Sequence, residues 1–259
     1  MRDWKPHGII AGLVALIFVR ALYGAEDLFD RFTVPAVLKP AIGGVLIGMI
    51  AIRFPEIFGV GYEAINEALT GELGWKLLLI LVFVKIVAVS LTIGSGGSGG
   101  IFAPSLFIGA MVGGAVGTVV HSLWPDLSGS PGAYALVGMG AVVAAGTHAP
   151  ITAIVIIFEL TGDYKIILPL MISCIIATLL ATRLQKASIY TLKLLRRGVD
   201  IRGGLSANVL SHLTARDAMR SEYAEVGRAD HLMPVISRFV ERPGETVLVT
   251  GSDQRLLGV

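Results

Sequence analysis

The sequence predicts an all-α polytopic membrane protein followed by a small α+β portion, on three observations. Of its 259 residues, 54% are hydrophobic and only 15% are charged, against about 25% charged in an ordinary soluble domain; the mean hydropathy is +0.76. The charges are unevenly placed, with no Asp, Glu, Lys or Arg from Ile86 to Pro125 or from Leu127 to Phe158, and many from Arg196 onward. Apolar segments recur at 8–23, 36–53, 74–93, 102–122, 133–146, 150–160 and 166–182. The formal net charge of +2 points to no partner, and no nucleic acid is expected. The single cysteine, Cys174, excludes an intrachain disulfide and fits a buried, inert thiol.

The first apolar run, Gly8 to Val19, follows Arg2 and Lys5 in the general shape of a signal peptide. Arg20 comes directly after it with no clear small-x-small cleavage site, so a retained membrane helix is predicted. A straight crossing needs about 20 apolar residues. Several of the later segments are shorter, and they are broken at Pro40–Gly44, Gly94–Pro104 and Gly146–Pro150. Such interruptions are expected where helices stop partway through the bilayer and irregular backbone lines a polar cavity. Close packing through small residues accounts for the glycines of Gly109–Ala115 but not for the breaks.

After Thr182 the basic residues Arg183, Lys186, Lys193, Arg196 and Arg197 crowd together, which predicts a cytoplasmic flank. Arg202-Gly203-Gly204 reads as a linker. The resulting division is a membrane domain over 1–198, a linker over 199–212 and a soluble portion over 213–259. In the last, a helix is predicted around Ala229 to Glu241, a turn at Arg242–Glu245 and a strand over Thr246–Thr250. Ser252–Gln254 makes another turn, and Arg255 to Val259 opens a second strand, so the chain reads as truncated.

The run GSGGSGGIFAP, Gly94 to Pro104, raises three readings. A solvated Gly/Ser linker conflicts with the apolar spans on both sides. A phosphate loop needs Gly-Lys-Ser/Thr after the glycines, where Ile101-Phe102 stands instead. The third is an anion site at a helix start. Pro104 suits a first turn, Gly99 and Gly100 let the backbone bend ahead of it, and the N–H groups of Gly100, Ile101 and Phe102 then face outward with the positive end of the helix dipole. Conduction needs weak binding, which neutral donors provide better than a lysine. Packing glycines, or a re-entrant loop with no ligand role, remain the alternatives on chemistry alone.

Gly94–Pro104 closely resembles the GxFxP segment of the CLC family of chloride channels and proton/chloride antiporters. Gly138–Ala141, Ala149–Thr152 and Phe158–Thr161 look like the paired helices that follow in that family, and Ser188-Ile189-Tyr190 resembles the start of its last membrane helix. The resemblance runs from about Gly8 to Arg197 and matches the latter part of the family's membrane domain. It implies a CLC-type second inverted half with broken, re-entrant helices. It further implies that the backbone N–H groups of Ile101 and Phe102 coordinate chloride, with the Tyr190 hydroxyl closing the inner side of the site. Read from its neighbours alone, Tyr190 is an interfacial aromatic beside a basic flank; a phenol O–H also suits loose anion binding.

The resemblance leaves the family's GSGIP and GREGP segments unmatched, so the chain is expected to hold half of the ion site. Chloride is the implied transported ligand, and no cofactor is expected. A homodimer in the cell's inner membrane is implied, with the helices near 150–160 and 166–182 at the dimer contact and the C-terminal portion in the cytoplasm. Residues from Leu213 onward resemble the opening of a CBS domain; adenine nucleotide enters only if a CBS pair is intact. The rivals are a CBS-regulated transporter of another ion and an inactive fragment without transport of its own; no enzyme activity is expected. Among the remaining ionisable groups, Glu159 reads as structural near an aqueous end and His148 as part of a polar turn. Lys85 either lends positive potential to an anion path or snorkels to the surface.

Overall fold

A computed structural model of the chain describes residues 4–126, 128–196, 199, 214, 216, 224–241, 247–251 and 255–258. The chain divides into two units, Met1–Gly198 and Val199–Val259. In the first, the described residues form helices α1 (Trp4–Arg31), α2 (Lys39–Arg53), α3 (Tyr62–Thr70), α4 (Trp75–Gly94), α5 (Phe102–Leu123), α6 (Pro131–Thr147), α7 (Pro150–Thr161), α8 (Ile167–Leu184) and α9 (Thr191–Arg196). Short 3₁₀ turns occupy Pro55–Ile57 and Tyr164–Ile166. Each apolar segment expected from sequence falls largely on a helix, but the break expected at Pro40–Gly44 is absent: Pro40 stands in the first turn of α2, where its missing N–H costs nothing, and the helix continues through both glycines. α3 falls on a segment with little hydropathy signal. Among the described residues, four helical stretches are long and apolar enough to cross a membrane: Trp4–Arg31, Trp75–Gly94, Phe102–Leu123 and Tyr164–Leu184. Arg20 lies inside the 28-residue helix α1.

The packing centre is α6, which is buried along almost its whole length between α5, α8 and α1. Hydrophobicity all round is what a helix enclosed by neighbours requires. Its contact with α5 is made possible by missing side chains. A Cβ on Gly113 of α5 would lie 2.8 Å from the Cα of Ala135, and one on Gly138 of α6 would lie 2.9 Å from the Cα of Gly113. Backbones therefore touch directly, the close approach that small residues permit in membranes. Phe107, Ile108 and Met111 on α5 are fully buried beside this seam.

The short segments predicted from the Gly/Pro breaks are α6 and α7, of 17 and 12 residues. Ser130 caps α6, its hydroxyl accepting the Ala133 N–H at 3.3 Å, and Pro131 follows in the first turn. The helix ends at His148, the sole non-glycine residue with positive φ among those described, at 60°. Pro150 then starts α7. His148 thus sits in the turn between two short helices, as its sequence context predicts. The break at Gly94–Pro104 is of another kind, because it joins two helices that are each long enough to cross.

In the second unit, β1 (Ala224–Gly227), α10 (Leu232–Glu241), β2 (Val247–Thr250) and β3 (Leu256–Gly258) are described. β1 pairs parallel with β2, Val226 opposite Val249, and β2 pairs antiparallel with β3, giving the order β1-β2-β3. Parallel neighbours need a crossover, and α10 lies within it. Val226 and Val247 are buried, and Asp230 accepts the Gly227 N–H at 2.7 Å at the exit of β1. The helix and the two later strands fall where sequence places them, and β1 supplies a strand ahead of the helix at residues to which sequence assigned none. The predicted linker glycines Gly203 and Gly204 and the turns at 242–245 and 252–254 lie outside the described residues.

Candidate functional site

The glycine run divides its work between two helix ends. Its first part closes α4. The Gly96 N–H donates to the Ile93 carbonyl at 3.0 Å and the Gly97 N–H to the Thr92 carbonyl at 2.9 Å. Gly96 has φ of 87°. This double bond pattern around a left-handed residue is a Schellman cap, and it satisfies carbonyls that the helix end would leave open. The left-handed residue of the run is therefore Gly96, while Gly99 and Gly100 have no positive φ. The backbone bends again at Ile101, directly after those two glycines, where sequence expects it to turn before Pro104. A Cβ on Gly100 would meet nothing within 4 Å, so that position lies open.

The second part opens α5. Ile101 is the N-cap and Phe102 the first helical residue, which puts Pro104 third, within the first turn. Its missing N–H is one of those without an intrahelical acceptor in any helix. No acidic residue lies in that turn. The Ile101 carbonyl accepts twice from Ser105, from its N–H at 3.1 Å and its hydroxyl at 2.7 Å. Those bonds point the carbonyl along the helix. The peptide is planar and trans, so the Phe102 N–H must point the opposite way, out of the helix end. The N–H groups of Gly100, Ile101 and Phe102 donate to no acceptor among the described residues. Three amide donors at the positive end of a helix dipole form an environment suited to an anion.

A cavity of about 630 Å³ adjoins this end, lined in part by Gly100, Ile101, Phe102 and Tyr190. The structure therefore brings every residue proposed from sequence to one cavity wall. Tyr190 precedes α9 and is half exposed. A reciprocal pair holds the turn that carries it: the Ser188 hydroxyl accepts the Thr191 N–H at 3.2 Å, and the Thr191 hydroxyl accepts the Ser188 N–H at 2.9 Å. This works as a capping box for α9. Tyr23, Glu26 and Lys193 line the same cavity and were not singled out from sequence. The available signal was charge complementarity between Glu26-Asp27 and Lys193…Arg196, which are paired in the structure but lie far apart in the chain.

Lys85 does not snorkel. It is 2% exposed, and its Nζ donates to the Ile57 and Gly59 carbonyls, both at 2.9 Å, above the Phe107 ring at 4.6 Å. It lines a second cavity of about 410 Å³ together with Ser98, Gly99, Gly100 and Pro104. A buried ammonium needs such carbonyl and ring partners. Glu159 is exposed near the end of α7, and Cys174 is a fully buried, free cysteine in α8.

Comparison with known proteins accords with this arrangement. A ClcB-like chloride channel protein of Ralstonia nicotianae is 38% identical over 193 residues, covering 74% of this chain and 45% of its relative. The H(+)/Cl(-) exchange transporter ClcA of Salmonella gallinarum is 38% identical over 225 residues, covering 85% of this chain and 45% of the relative. The chain thus spans about half the length of the curated relatives it matches. Among solved structures, a slow cyanobacterial Cl−/H+ antiporter superposes with a TM-score of 0.65 at 34% identity, covering 75% of this chain and 46% of that one. The family model described as voltage gated chloride channel matches residues 6–182, and the chain, a multi-pass membrane protein, belongs to that family.

Proposed function

We propose that this chain supplies half of a transmembrane chloride pathway, in which chloride moves passively or in exchange for protons. The observation that carries this reading is the convergence of the α5 N-terminus and Tyr190 on one cavity. The amides of Gly100, Ile101 and Phe102 attract the ion without a full cation, and the Tyr190 hydroxyl donates to it from the inner side. Neutral donors hold a monovalent anion loosely enough to release it. Lys85 adds positive potential from the neighbouring cavity. The relatives' activities, H(+)/Cl(-) exchange for ClcA and Cl−/H+ antiport for the cyanobacterial protein, support chloride as the substrate.

The pathway belongs to a homodimer in the cell's inner membrane. Leu168, Met171, Ile175 and Leu179 are exposed along one side of α8, and Ile151 and Val155 are exposed on α7; spacings of three and four place such residues on one helix face. That apolar surface suits the subunit contact. The basic flank of Arg183, Lys186, Lys193 and Arg196 supports a cytoplasmic position for the second unit. Its strand–helix–strand order is compatible with the opening of a CBS domain, which would bind adenine nucleotide only as part of an intact pair.

Chloride binding by the full chain in detergent micelles, followed by quadrupolar line broadening of the chloride resonance, tests the site. Broadening that falls when Tyr190 is replaced by Phe is the expected result, and a wild-type chain that causes none would refute the site. Reconstitution into liposomes tests the other part of the reading: robust chloride efflux through this chain alone would overturn the half-pathway.

A further inference from the structure

We infer that Tyr23 is the positioning residue for Tyr190, acting from α1 through the backbone of Ile189. The inference rests on the reading above, in which the Tyr190 hydroxyl faces the anion. Tyr190 itself is half exposed and stands in the turn that opens α9. A helix end frays unless something outside it fixes its backbone. Two bonds from distant elements do so. The Ile189 N–H donates to the Gly146 carbonyl, in the last turn of α6, at 2.9 Å. The Tyr23 hydroxyl donates to the Ile189 carbonyl at 2.6 Å across 166 residues of sequence.

These bonds act on successive peptide planes. The first orients the plane between Ser188 and Ile189; the second orients the plane between Ile189 and Tyr190. Because each peptide unit is rigid, holding its N–H or its carbonyl holds the whole unit. Together they set the backbone of Ile189, which is 3% exposed, and the direction in which the chain enters Tyr190. The cavity wall at Tyr190 is thereby tied to α1 and α6, both of which belong to the packed centre of the unit.

Tyr23 is in turn held in place. It is 4% exposed, and the Arg196 guanidinium lies 4.7 Å from its ring centroid. Arg196 grips Asp27 with both terminal nitrogens, at 2.6 and 3.1 Å, and Lys193 pairs with Glu26 at 3.4 Å. These pairs are half exposed and contribute little each. Their consequence is alignment: two basic residues one turn apart on α9 meet two adjacent acidic residues on α1, which sets the register of α9 against the helix that carries Tyr23.

The test uses the full chain in detergent micelles, with two readouts. Hydrogen exchange at the amides of Ile189 to Leu192 reports the clasp, and chloride line broadening reports the site. Tyr23→Phe keeps the ring and deletes the donor. It is expected to speed exchange at those amides about fivefold and to reduce chloride broadening to the level of Tyr190→Phe, with exchange at the start of α5 unchanged. Asp27→Arg and Arg196→Asp alone are expected to act in the same direction, and the double exchange of charges to restore both readouts.

Unchanged exchange at Ile189 to Leu192 in Tyr23→Phe overturns the clasp, whatever chloride does. Faster exchange with wild-type chloride broadening overturns the positioning role, since Tyr190 then holds its place unaided. A wild-type chain that produces no broadening overturns the anion reading and this role with it, a result recognisably different from a failed clasp because exchange would still respond.

Discussion

Replacing Gly113 by Ala should destabilise the chain, although the same change stabilises an open helix. On ordinary helix backbone, Gly→Ala gains roughly 0.5–1 kcal/mol through lost unfolded-state freedom and better helix propensity. At Gly113 the new methyl would sit 2.8 Å from the Ala135 Cα and 2.8 Å from the Tyr134 carbonyl carbon. Carbon atoms prefer about 3.5–4.0 Å, so α5 and α6 would have to separate by about 1 Å where backbone meets backbone. Neither neighbour has a rotamer with which to yield. Overpacking of this kind costs about 1–3 kcal/mol, which exceeds the helix gain and leaves a net loss of roughly 1 kcal/mol. Gly24 on α1 is the control, because a Cβ there meets nothing within 4 Å; Gly24→Ala should gain the helix term alone. Unfolding of both variants in mixed detergent micelles, read by circular dichroism, measures the two signs. Stabilisation of both would refute the argument that the α5–α6 crossing depends on bare backbone.

Tyr190→Ala should weaken chloride binding about 10- to 100-fold, the value of one hydrogen bond to a charged group, with little change in unfolding midpoint because the side chain is half exposed; calorimetry and thermal melts give the two numbers. Lys85→Met should leave the Ile57 and Gly59 carbonyls without their ammonium donor, and amide exchange across Glu56–Val60 should accelerate, whereas unaltered exchange would mean that the segment holds itself. Ser130→Ala removes the α6 cap and should cost about 1 kcal/mol, measurable in the same micelle titration, with Ser130→Asp retaining most of the stability.

Much of the helical framework was legible because its signal is compositional. A segment that must bury its backbone in hydrocarbon has to be apolar over a helix's length, so the apolar runs emerge without knowledge of their neighbours. α3 gave no such signal: with Glu63, Asn66 and Glu67 on it, it is a short amphipathic helix that rests on α5 and α6, a relation invisible to hydropathy. Lys85 shows the converse. One lysine in an apolar run is compatible with a snorkelling tail or a buried ammonium. Only the fold, by bringing the 57–59 carbonyls and Phe107 to it, decides between them.

The candidate site divides along the same line. Sequence alone determined that Gly94–Pro104 precedes a helix, since Pro104 and the apolar run after it demand one, and that the run itself carries no charged side chain. Those are local facts, set by φ, missing N–H groups and side-chain type. Sequence did not say which glycine of the run is left-handed, because its five glycines are equivalent until α4 has a definite last turn; the cap then selects Gly96. Tertiary structure alone decided that Tyr190 shares a cavity with Ile101 and Phe102, and that Tyr23, more than 160 residues earlier, holds its backbone. Contacts across such separations depend on how α1, α5, α6 and α9 pack together, and packing is set by the whole set of buried surfaces rather than by any one stretch of chain.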